Sequence, residues 1–457
     1  MRSIDVQPLV DNAKLGKFHY KVLFWCALII VFDGYDLAVA GIALPAIMRD
    51  MSLDPARAGL LVSAALFGMM FGNVVVGTVS DRIGRKRTIG VCVALFSVFT
   101  ALAGLSAEPW QFAISRFIAG IGIGGVMPNV IAQMTDFAPK RTRSMMVTLM
   151  FSGYSLGGML AASLGKAMIE QFGWSSLFLA AGLPILLLPI IVRSMPESLA
   201  FLARQGRQAD IRSTLAQVEP AYQAAESDIL LQAGNSSQRT ERASIRQLFE
   251  DGRGMSTIMF WVSCFMCLFM VYALSSWLAK LMAGAGYSLG SALTFVLVMN
   301  LGGMIGAIGG GWLADKLHIK YVLALMYVLA AISISLLGFK VEQTWLYLLV
   351  GLAGASTIGT QIVGCAYAGQ FYPTEIRATG VGWTLGVGRS GAIIAPILIG
   401  IFMGMALPLQ QNFLLIGVPG VIAACAVLAI RHHRSATVIA DQLVSHSPTA
   451  MQKAASA

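Results

Sequence analysis

The chain has 457 residues, of which 57% are hydrophobic and only 12% are charged, and its formal net charge is +10. A soluble protein of ordinary composition carries about 25% charged residues, so water is not the main solvent of this chain. The basic residues lie in short tracts between apolar runs rather than on one helix face or in one tail. This distribution argues against a nucleic-acid-binding protein.

Apolar runs long enough to cross a membrane, roughly 20 residues each, recur along the whole chain. The first run is too long for a cleavable signal and contains two aspartates, so we expect it to be retained as a helix. The sequence predicts an all-α polytopic membrane protein with twelve transmembrane helices in two six-helix halves. The predicted helices, called spans 1 to 12, lie near residues 21–45, 57–79, 88–107, 110–134, 144–168, 174–194, 256–279, 290–314, 320–340, 344–368, 377–403 and 410–431.

A long polar stretch between spans 6 and 7 divides the chain. The predicted domains are an N-terminal half (1–194), a linker (195–255), a C-terminal half (256–431) and a tail (432–457). Residues 210–233 of the linker have a helical composition, which predicts a helix at the protein surface. Basic residues are concentrated in the loops after spans 2, 4, 8 and 10. The positive-inside rule therefore predicts that both termini and the linker are cytoplasmic.

The two halves share sequence motifs at one fixed spacing. A motif that begins at Gly77 after span 2 returns at Gly311 after span 8, 234 residues further on. A Pro-x-x-x-Arg motif that ends at Arg143 after span 4 returns ending at Arg377, again 234 residues further on. Two independent motifs at one offset predict a duplicated six-helix unit. Such repeats are typical of secondary transporters, which hold their substrates near the middle of the membrane.

The segment 77–87, Gly-Thr-Val-Ser-Asp-Arg-Ile-Gly-Arg-Lys-Arg, is the most specific motif in the chain. An acid at a helix end, a glycine turn and a basic cluster can form a charge latch that opens during transport. A simple positive-inside loop would explain the basic residues but not the acid and the glycines. Asp136, at the end of span 4, could extend this network or be solvated. The residues predicted to act in gating are Gly77, Asp81, Arg82, Gly84, Arg85, Asp136, Asp315 and Arg377.

Two acids lie inside the first apolar run, Asp33 and Asp36. An ionised carboxylate at mid-membrane costs roughly 2.5–3.5 kcal/mol on insertion scales, so such residues tend to face a cavity, pair with a cation or take up a proton. The spacing of three residues places both on one helix face. We predict that they couple proton movement to transport; the alternative is a pair neutralised structurally by basic residues.

The segment 77–87 resembles the signature of the major facilitator superfamily, and the two six-helix halves and the Pro-Glu-Ser sequence at 196–198 fit that superfamily as well. The second copy of the motif departs from the pattern, because His318 stands where a glycine is expected. The sequence Asp-Gly-Tyr-Asp at 33–36, with Phe-His at 18–19 before it, resembles the aromatic acid:proton symporter family and in particular its benzoate permeases. Members of that family import benzoate, hydroxybenzoates and related catabolic substrates across the bacterial inner membrane.

The family resemblance implies roles for Arg116 and Arg389, and the aromatic ring of Tyr35 makes it a further candidate for the site. Arg116 in span 4 would pair with the span 1 aspartates or with a substrate carboxylate, unless it snorkels to the membrane surface. Arg389 in span 11 would supply a cation to the substrate cavity, and Tyr35 is a candidate for stacking on a substrate ring. The resemblance also implies a monomer that needs no cofactor because the proton gradient drives it.

Other functions remain open at this stage. The same fold could carry another small organic acid or a sugar, could export its substrate, or could act as a transporter-like sensor. An enzyme is not predicted, because no helix carries a nucleophile–base pair or a metal-ligand constellation in apolar surroundings. The expected partners are a small aromatic carboxylate, protons and the lipid bilayer, with no nucleic acid. The glycines of span 4 predict close helix packing rather than a nucleotide-binding loop.

Overall fold

The computed structural model describes residues 3–219, 229–231, 245–339, 342–373 and 376–432. Within these residues, twelve helical segments are long and apolar enough to cross a membrane, as the sequence predicts. Helices suit lipid because they satisfy their backbone N–H and C=O groups internally. The spans in order are Lys17–Asp50, Pro55–Ile83, Arg85–Gly104, Pro109–Phe137, Arg143–Phe172, Ser175–Ala180 with Pro184–Ser194, Gly254–Gly284, Leu289–Lys316, Ile319–Leu336, Gln343–Phe371, Arg377–Gly404 and Leu409–Ala429.

Span 1 is longer than its apolar run. The helix Lys17–Asp50 has 34 residues, whereas the sequence predicts a span over 21–45. At 1.5 Å per residue the helix is about 51 Å long, which exceeds the roughly 40–45 Å of a bilayer with its headgroups. Hydrophobicity identifies only the part of a helix that lies in hydrocarbon. A prediction from hydrophobicity therefore underestimates the length of a helix whose ends are polar.

Span 6 is not one regular helix. It consists of Ser175–Ala180 and Pro184–Ser194, whereas the sequence predicts one helix over 174–194. Between the two pieces, the Leu183 amide donates to the Ala180 carbonyl, three residues back instead of four. Proline has no N–H for an α-helical bond, which breaks the regular pattern at Pro184. The predicted span over 174–194 is therefore confirmed as Ser175–Ser194, with an interruption of the helix at residues 181–183.

The described part of the linker contains two α-helices, Leu199–Arg204 and Gln208–Val218, two short 3-10 segments and a strand. The second helix confirms the first part of the prediction over 210–233. Residues 220–228 and 232–233 lie outside the described residues. The segment Ile229–Leu231 forms a β-strand (β2), where the sequence predicts helix.

Strand β2 pairs in parallel with a second short strand, Ser3–Asp5 (β1). The side chain of Gln208 reinforces this pairing, because its amide donates to the Leu230 carbonyl at 3.1 Å and accepts from the Leu230 amide at 2.9 Å. The residues before span 1 are thus attached to the linker after span 6. Nothing in their local sequence predicts this long-range pairing.

The chain forms two compact units. Unit 1 contains spans 1 to 6 together with Ser275–Leu297 and Pro396–Gly404, and unit 2 contains the remainder of spans 7 to 12. The domains predicted from the sequence follow the internal repeat instead of the packing, and they stay a prediction.

Spans 1 and 5 cross with their backbones in contact. A Cβ atom added at Gly34 would collide with the Tyr154 carbonyl, and one added at Gly157 would lie 2.6 Å from the Tyr35 amide nitrogen. Glycine allows this approach because it has no side chain, as is common between membrane helices. The crossing fixes the position of the acidic segment of span 1.

The glycines of span 4 likewise allow its backbone to approach the backbone of span 2 closely. Cβ atoms added at Gly120 and Gly124 would collide with the backbone at Ala65 and Met69 respectively. The predicted close packing of span 4 is therefore confirmed.

We expect Gly157→Val to lower the folded yield and the melting temperature of the detergent-solubilised protein strongly. Overpacking a core typically costs about 1–3 kcal/mol, and here the new methyl groups would meet backbone, which cannot rotate away. Gly309→Val is the matched control, because a Cβ added to the helical Gly309 meets nothing within 4 Å. Equal melting temperatures for the two variants would contradict the close crossing.

Candidate functional site

The two acids of span 1 are enclosed by protein. Asp33 and Asp36 are 0% and 1% exposed, and each lies about 20 Å or more from either end of its helix at 1.5 Å per residue. Gly34 stands between them and allows the backbone of span 5 to approach. Carboxylates at this depth are expensive and are typical of ion or substrate pathways.

Asp36 forms a buried ion pair with Arg116 of span 4. The Arg116 Nη1 atom lies 3.0 Å from Asp36 Oδ1 and 2.9 Å from Oδ2, and Nη2 donates to the Asp36 backbone carbonyl at 3.1 Å. Arg116 also donates to Thr100 Oγ1 of span 3 at 3.0 Å and lies 5.8 Å from the centre of the Phe178 ring. One guanidinium thus joins spans 1, 3 and 4 inside the protein.

This geometry decides between the alternatives left open for Arg116. The residue is 1% exposed, so it does not snorkel to the membrane surface. It pairs with a span 1 aspartate, as one of the two predicted roles requires. Direct contact between Arg116 and a substrate stays a prediction, because Asp36 and Thr100 engage the guanidinium in this structure.

Loss of one partner of the Asp36–Arg116 ion pair would leave the other partner's charge buried without a counter-charge. Removing one partner of a buried ion pair leaves an uncompensated charge and typically costs about 3–5 kcal/mol. Arginine is suited to this position because its planar fork presents several N–H donors at once, which lysine cannot copy.

Tyr35 is part of the helix packing. Its ring is 5% exposed and its hydroxyl donates to the Leu177 carbonyl of span 6 at 3.0 Å. This bond links spans 1 and 6 beside the acidic segment. Stacking of Tyr35 on a substrate ring stays a prediction.

Arg389 belongs to unit 2 and is partly buried. Its Nη1 atom donates to the hydroxyl of Tyr272 in span 7 at 3.1 Å. Arg389 lies about 18 Å from the beginning of its helix, at 1.5 Å per residue, so it is a cation near mid-span. The structure gives this predicted substrate ligand a partner that the sequence analysis missed.

A second charged cluster joins the chain after spans 2, 4 and 6. Arg85 forms an ion pair with Asp136, whose Oδ2 atom also accepts from the Ser198 hydroxyl at 3.0 Å. Glu197 accepts from the Lys86 amide at 3.2 Å. The structure therefore places Asp136 in the network instead of in a solvated loop, and it adds Glu197, which the sequence analysis named only as part of the Pro-Glu-Ser resemblance.

Gly84 alone connects spans 2 and 3. Its φ is +94°, a conformation that strongly favours glycine, and a Cβ there would lie 2.7 Å from Glu197 Oε2. In the second copy of the motif, His318 has a φ of −64°, which any residue can adopt. This difference explains why the second copy needs no glycine.

The structure says less about the other predicted gating residues. Arg82 is exposed at the end of span 2. The remaining four belong to helices, but their surroundings lie outside the described part of the structure: Gly77, Asp81, Asp315 and Arg377. Their gating roles stay predictions.

Three contributors escaped the sequence analysis, namely Thr100, Glu197 and Tyr272. Thr100 is separated from Arg116 by 16 positions and Tyr272 from Arg389 by 117, so no local spacing reveals either contact. Glu197 carried a signal, because an acid directly after an apolar span stands out beside the basic loops.

Comparison with known proteins identifies the family. The family model described as the Major Facilitator Superfamily matches residues 26–396. The chain belongs to the major facilitator superfamily. A benzoate transport protein of Acinetobacter baylyi is 45% identical to it, over 95% of this chain and 94% of the relative. A gallate transporter of Pseudomonas putida is 35% identical, over 94% of this chain and 96% of the relative.

A solved structure shows the same fold. The bacterial homologue of the human lysosomal transporter Spinster, in an inward-facing and unoccupied conformation, matches with a TM-score of 0.71. The match covers 92% of this chain and 98% of the other, at 20% identity. The predicted superfamily, the resemblance to aromatic acid transporters and the twelve-span fold are thus confirmed, and the chain is a multi-pass membrane protein.

In this major facilitator, we expect Asp136→Ala to lower both the melting temperature and the initial transport rate. It removes the acceptor that Arg85 and Ser198 share, and hydrogen bonds to a charged group are worth about 1.5–3 kcal/mol. Asp210→Ala is the matched control, because Asp210 pairs with Arg207, both side chains are about half exposed, and such surface pairs contribute under about 1 kcal/mol. Equal melting temperatures for Asp136→Ala and Asp210→Ala would mean that the contacts of Asp136 with Arg85 and Ser198 do not stabilise the protein.

Proposed function

We propose that this protein is a proton-coupled symporter that imports an aromatic carboxylate, such as benzoate or a hydroxybenzoate, by alternating access. The observation that carries the proposal is the set of charges buried within the spans of unit 1, namely Asp33, Asp36 and Arg116. The relatives named as benzoate and gallate transporters supply the substrate class.

The two acids have different proposed roles. Both carboxylate oxygens of Asp36 contact Arg116, so protonation of Asp36 would disrupt a buried ion pair. Asp33 lies about one turn away on the same helix face and is fully buried. Asp33 is therefore the proposed proton carrier, and Asp36 with Arg116 is the fixed pair that holds spans 1, 3 and 4 around it.

Arg389 is the proposed ligand of the substrate carboxylate. Carboxylates are best held by a guanidinium, which offers several N–H donors in one plane. Arg389 is partly buried near mid-span, and Arg116 is already engaged by Asp36. Each transport cycle would then bind one anion at Arg389 and a proton at Asp33 and release both on the other side of the membrane. The proton gradient would thereby drive uptake without a cofactor.

The proposed location is the bacterial inner membrane, with a monomer whose termini are both cytoplasmic. The basic loops after spans 2, 4, 8 and 10 support this orientation, because positive charge is retained on the cytoplasmic side.

Uptake by the purified protein in liposomes tests the proposal. With the interior alkaline, we expect labelled benzoate to accumulate above the level that protein-free liposomes reach under the same pH gradient, and a protonophore to abolish this excess. The panel should include 4-hydroxybenzoate, gallate, cyclohexanecarboxylate and a sugar. Accumulation of an aliphatic acid or the sugar without any aromatic acid would overturn the proposed substrate class. Net transport of benzoate only in the opposite direction to the proton flow would identify an exporter.

A further inference from the structure

Arg389 and Tyr272 form a polar contact inside unit 2. The Arg389 Nη1 atom donates to the Tyr272 hydroxyl at 3.1 Å, and Tyr272 is 7% exposed. Tyr272 in span 7 and Arg389 in span 11 each lie about three helical turns or more from either end of their helices. The contact is therefore deep in the membrane, where a polar group without a partner is costly.

The glycines around Arg389 hold spans 7 and 11 together. A Cβ atom added at Gly388 would collide with the Cys264 thiol, and one added at Gly391 would collide with the backbone of Phe265. Both contacts join the same two helices that carry Tyr272 and Arg389. The guanidinium and the phenol are thus placed by backbone packing, which leaves little freedom to separate them.

The hydrogen-bond inventory of Tyr272 leaves one donor available. Its oxygen accepts from Arg389, and among the described residues no acceptor is found for its own O–H. A buried hydroxyl normally uses its proton in a hydrogen bond. The Arg389 guanidinium carries only N–H donors and no acceptor. A carboxylate, which only accepts, complements this pair of donors.

We propose that Tyr272 is a positioning and specificity residue of the substrate site. It orients Arg389, and its hydroxyl donates a hydrogen bond to the substrate carboxylate. The inference rests on the proposed function, because it assumes a carboxylate as substrate. It assigns the recognition of that carboxylate to two donors on different helices, a cation and a neutral phenol. A neutral second donor adds selectivity for a carboxylate without adding charge to the membrane interior.

The test compares Tyr272→Phe with the wild type in liposome uptake of labelled benzoate. The variant keeps the ring and loses the hydroxyl, so we expect KM to rise about tenfold or more, the loss associated with a hydrogen bond to a charged group, with a maximal rate within about twofold. Tyr327→Phe is the matched control. Tyr327 is also buried in unit 2, but its hydroxyl donates to the Ser263 carbonyl at 3.2 Å, so KM should not change.

The outcomes separate this inference from the proposed function. If the wild type does not accumulate benzoate or any aromatic carboxylate, the proposed function fails. If the wild type accumulates benzoate and Tyr272→Phe has the same KM as Tyr327→Phe, the role of Tyr272 is wrong and the proposed function stands. Should Tyr272→Phe fail to fold, Tyr272→Met fills similar space without a donor. An unchanged KM in that variant would equally overturn the inference.

Discussion

Asp33→Asn is expected to abolish the accumulation of benzoate against a gradient and to leave exchange of labelled for unlabelled benzoate intact. Asparagine resembles a permanently protonated aspartate, so it removes the cycle of proton uptake and release that drives accumulation. Exchange needs no net proton movement, and it should proceed in the variant at a rate that no longer depends on pH. The measurements are pH-driven uptake and counterflow in the same liposome preparation.

Asp54→Asn is the matched control for this experiment. Asp54 caps the beginning of span 2 by accepting from the Arg57 amide at 2.9 Å, and asparagine caps helices equally well. It is an exposed acid, so its variant should accumulate benzoate normally. Normal accumulation by Asp33→Asn as well would remove Asp33 from the proton pathway. Loss of exchange together with accumulation would show that Asp33 is needed for substrate binding or for folding.

Removing either member of the Asp36–Arg116 pair is expected to destabilise the protein by about 3–5 kcal/mol and to abolish transport. In Arg116→Gln the carboxylate of Asp36 stays buried without the guanidinium, and in Asp36→Asn the guanidinium loses its counter-charge. The combined variant, Asp36→Asn with Arg116→Gln, should recover part of the lost stability because both charges are gone. Melting temperatures and folded yields in detergent measure the three variants as a double-mutant cycle.

Arg116→Lys adds a test of geometry. It keeps the positive charge but cannot contact both carboxylate oxygens, the Asp36 carbonyl and Thr100 together. We expect a stability between those of the wild type and Arg116→Gln. Additive losses in the double-mutant cycle, with no recovery, would mean that the two residues contribute independently.

The number of spans and the acidic segment of span 1 could be predicted from the sequence. Lipid requires long apolar helices, so hydropathy alone reveals the spans. Asp33 and Asp36 stand out because charges are rare inside apolar runs.

The pairing of these charges was harder to predict. The family resemblance implied that Arg116 pairs with the span 1 acids or with a substrate carboxylate, but it did not choose between the two acids. Asp36 and Arg116 are 80 positions apart, and the spacing of three residues puts both acids on one helix face. Tyr272 is one of 11 tyrosines in an apolar chain, and only its contact with Arg389 distinguishes it. Contacts between helices depend on rotation about each axis, which the periodicity of a fully apolar helix does not report.

The pairing of β1 with β2 has a consequence for the order of assembly on the ribosome. Ser3–Asp5 is synthesised before the first six spans, but its partner Ile229–Leu231 follows only after they have been made. The N-terminal strand must therefore wait, unpaired, while those helices insert into the membrane. This strand pairing can form only when the linker has left the exit tunnel, while the second repeat is being synthesised.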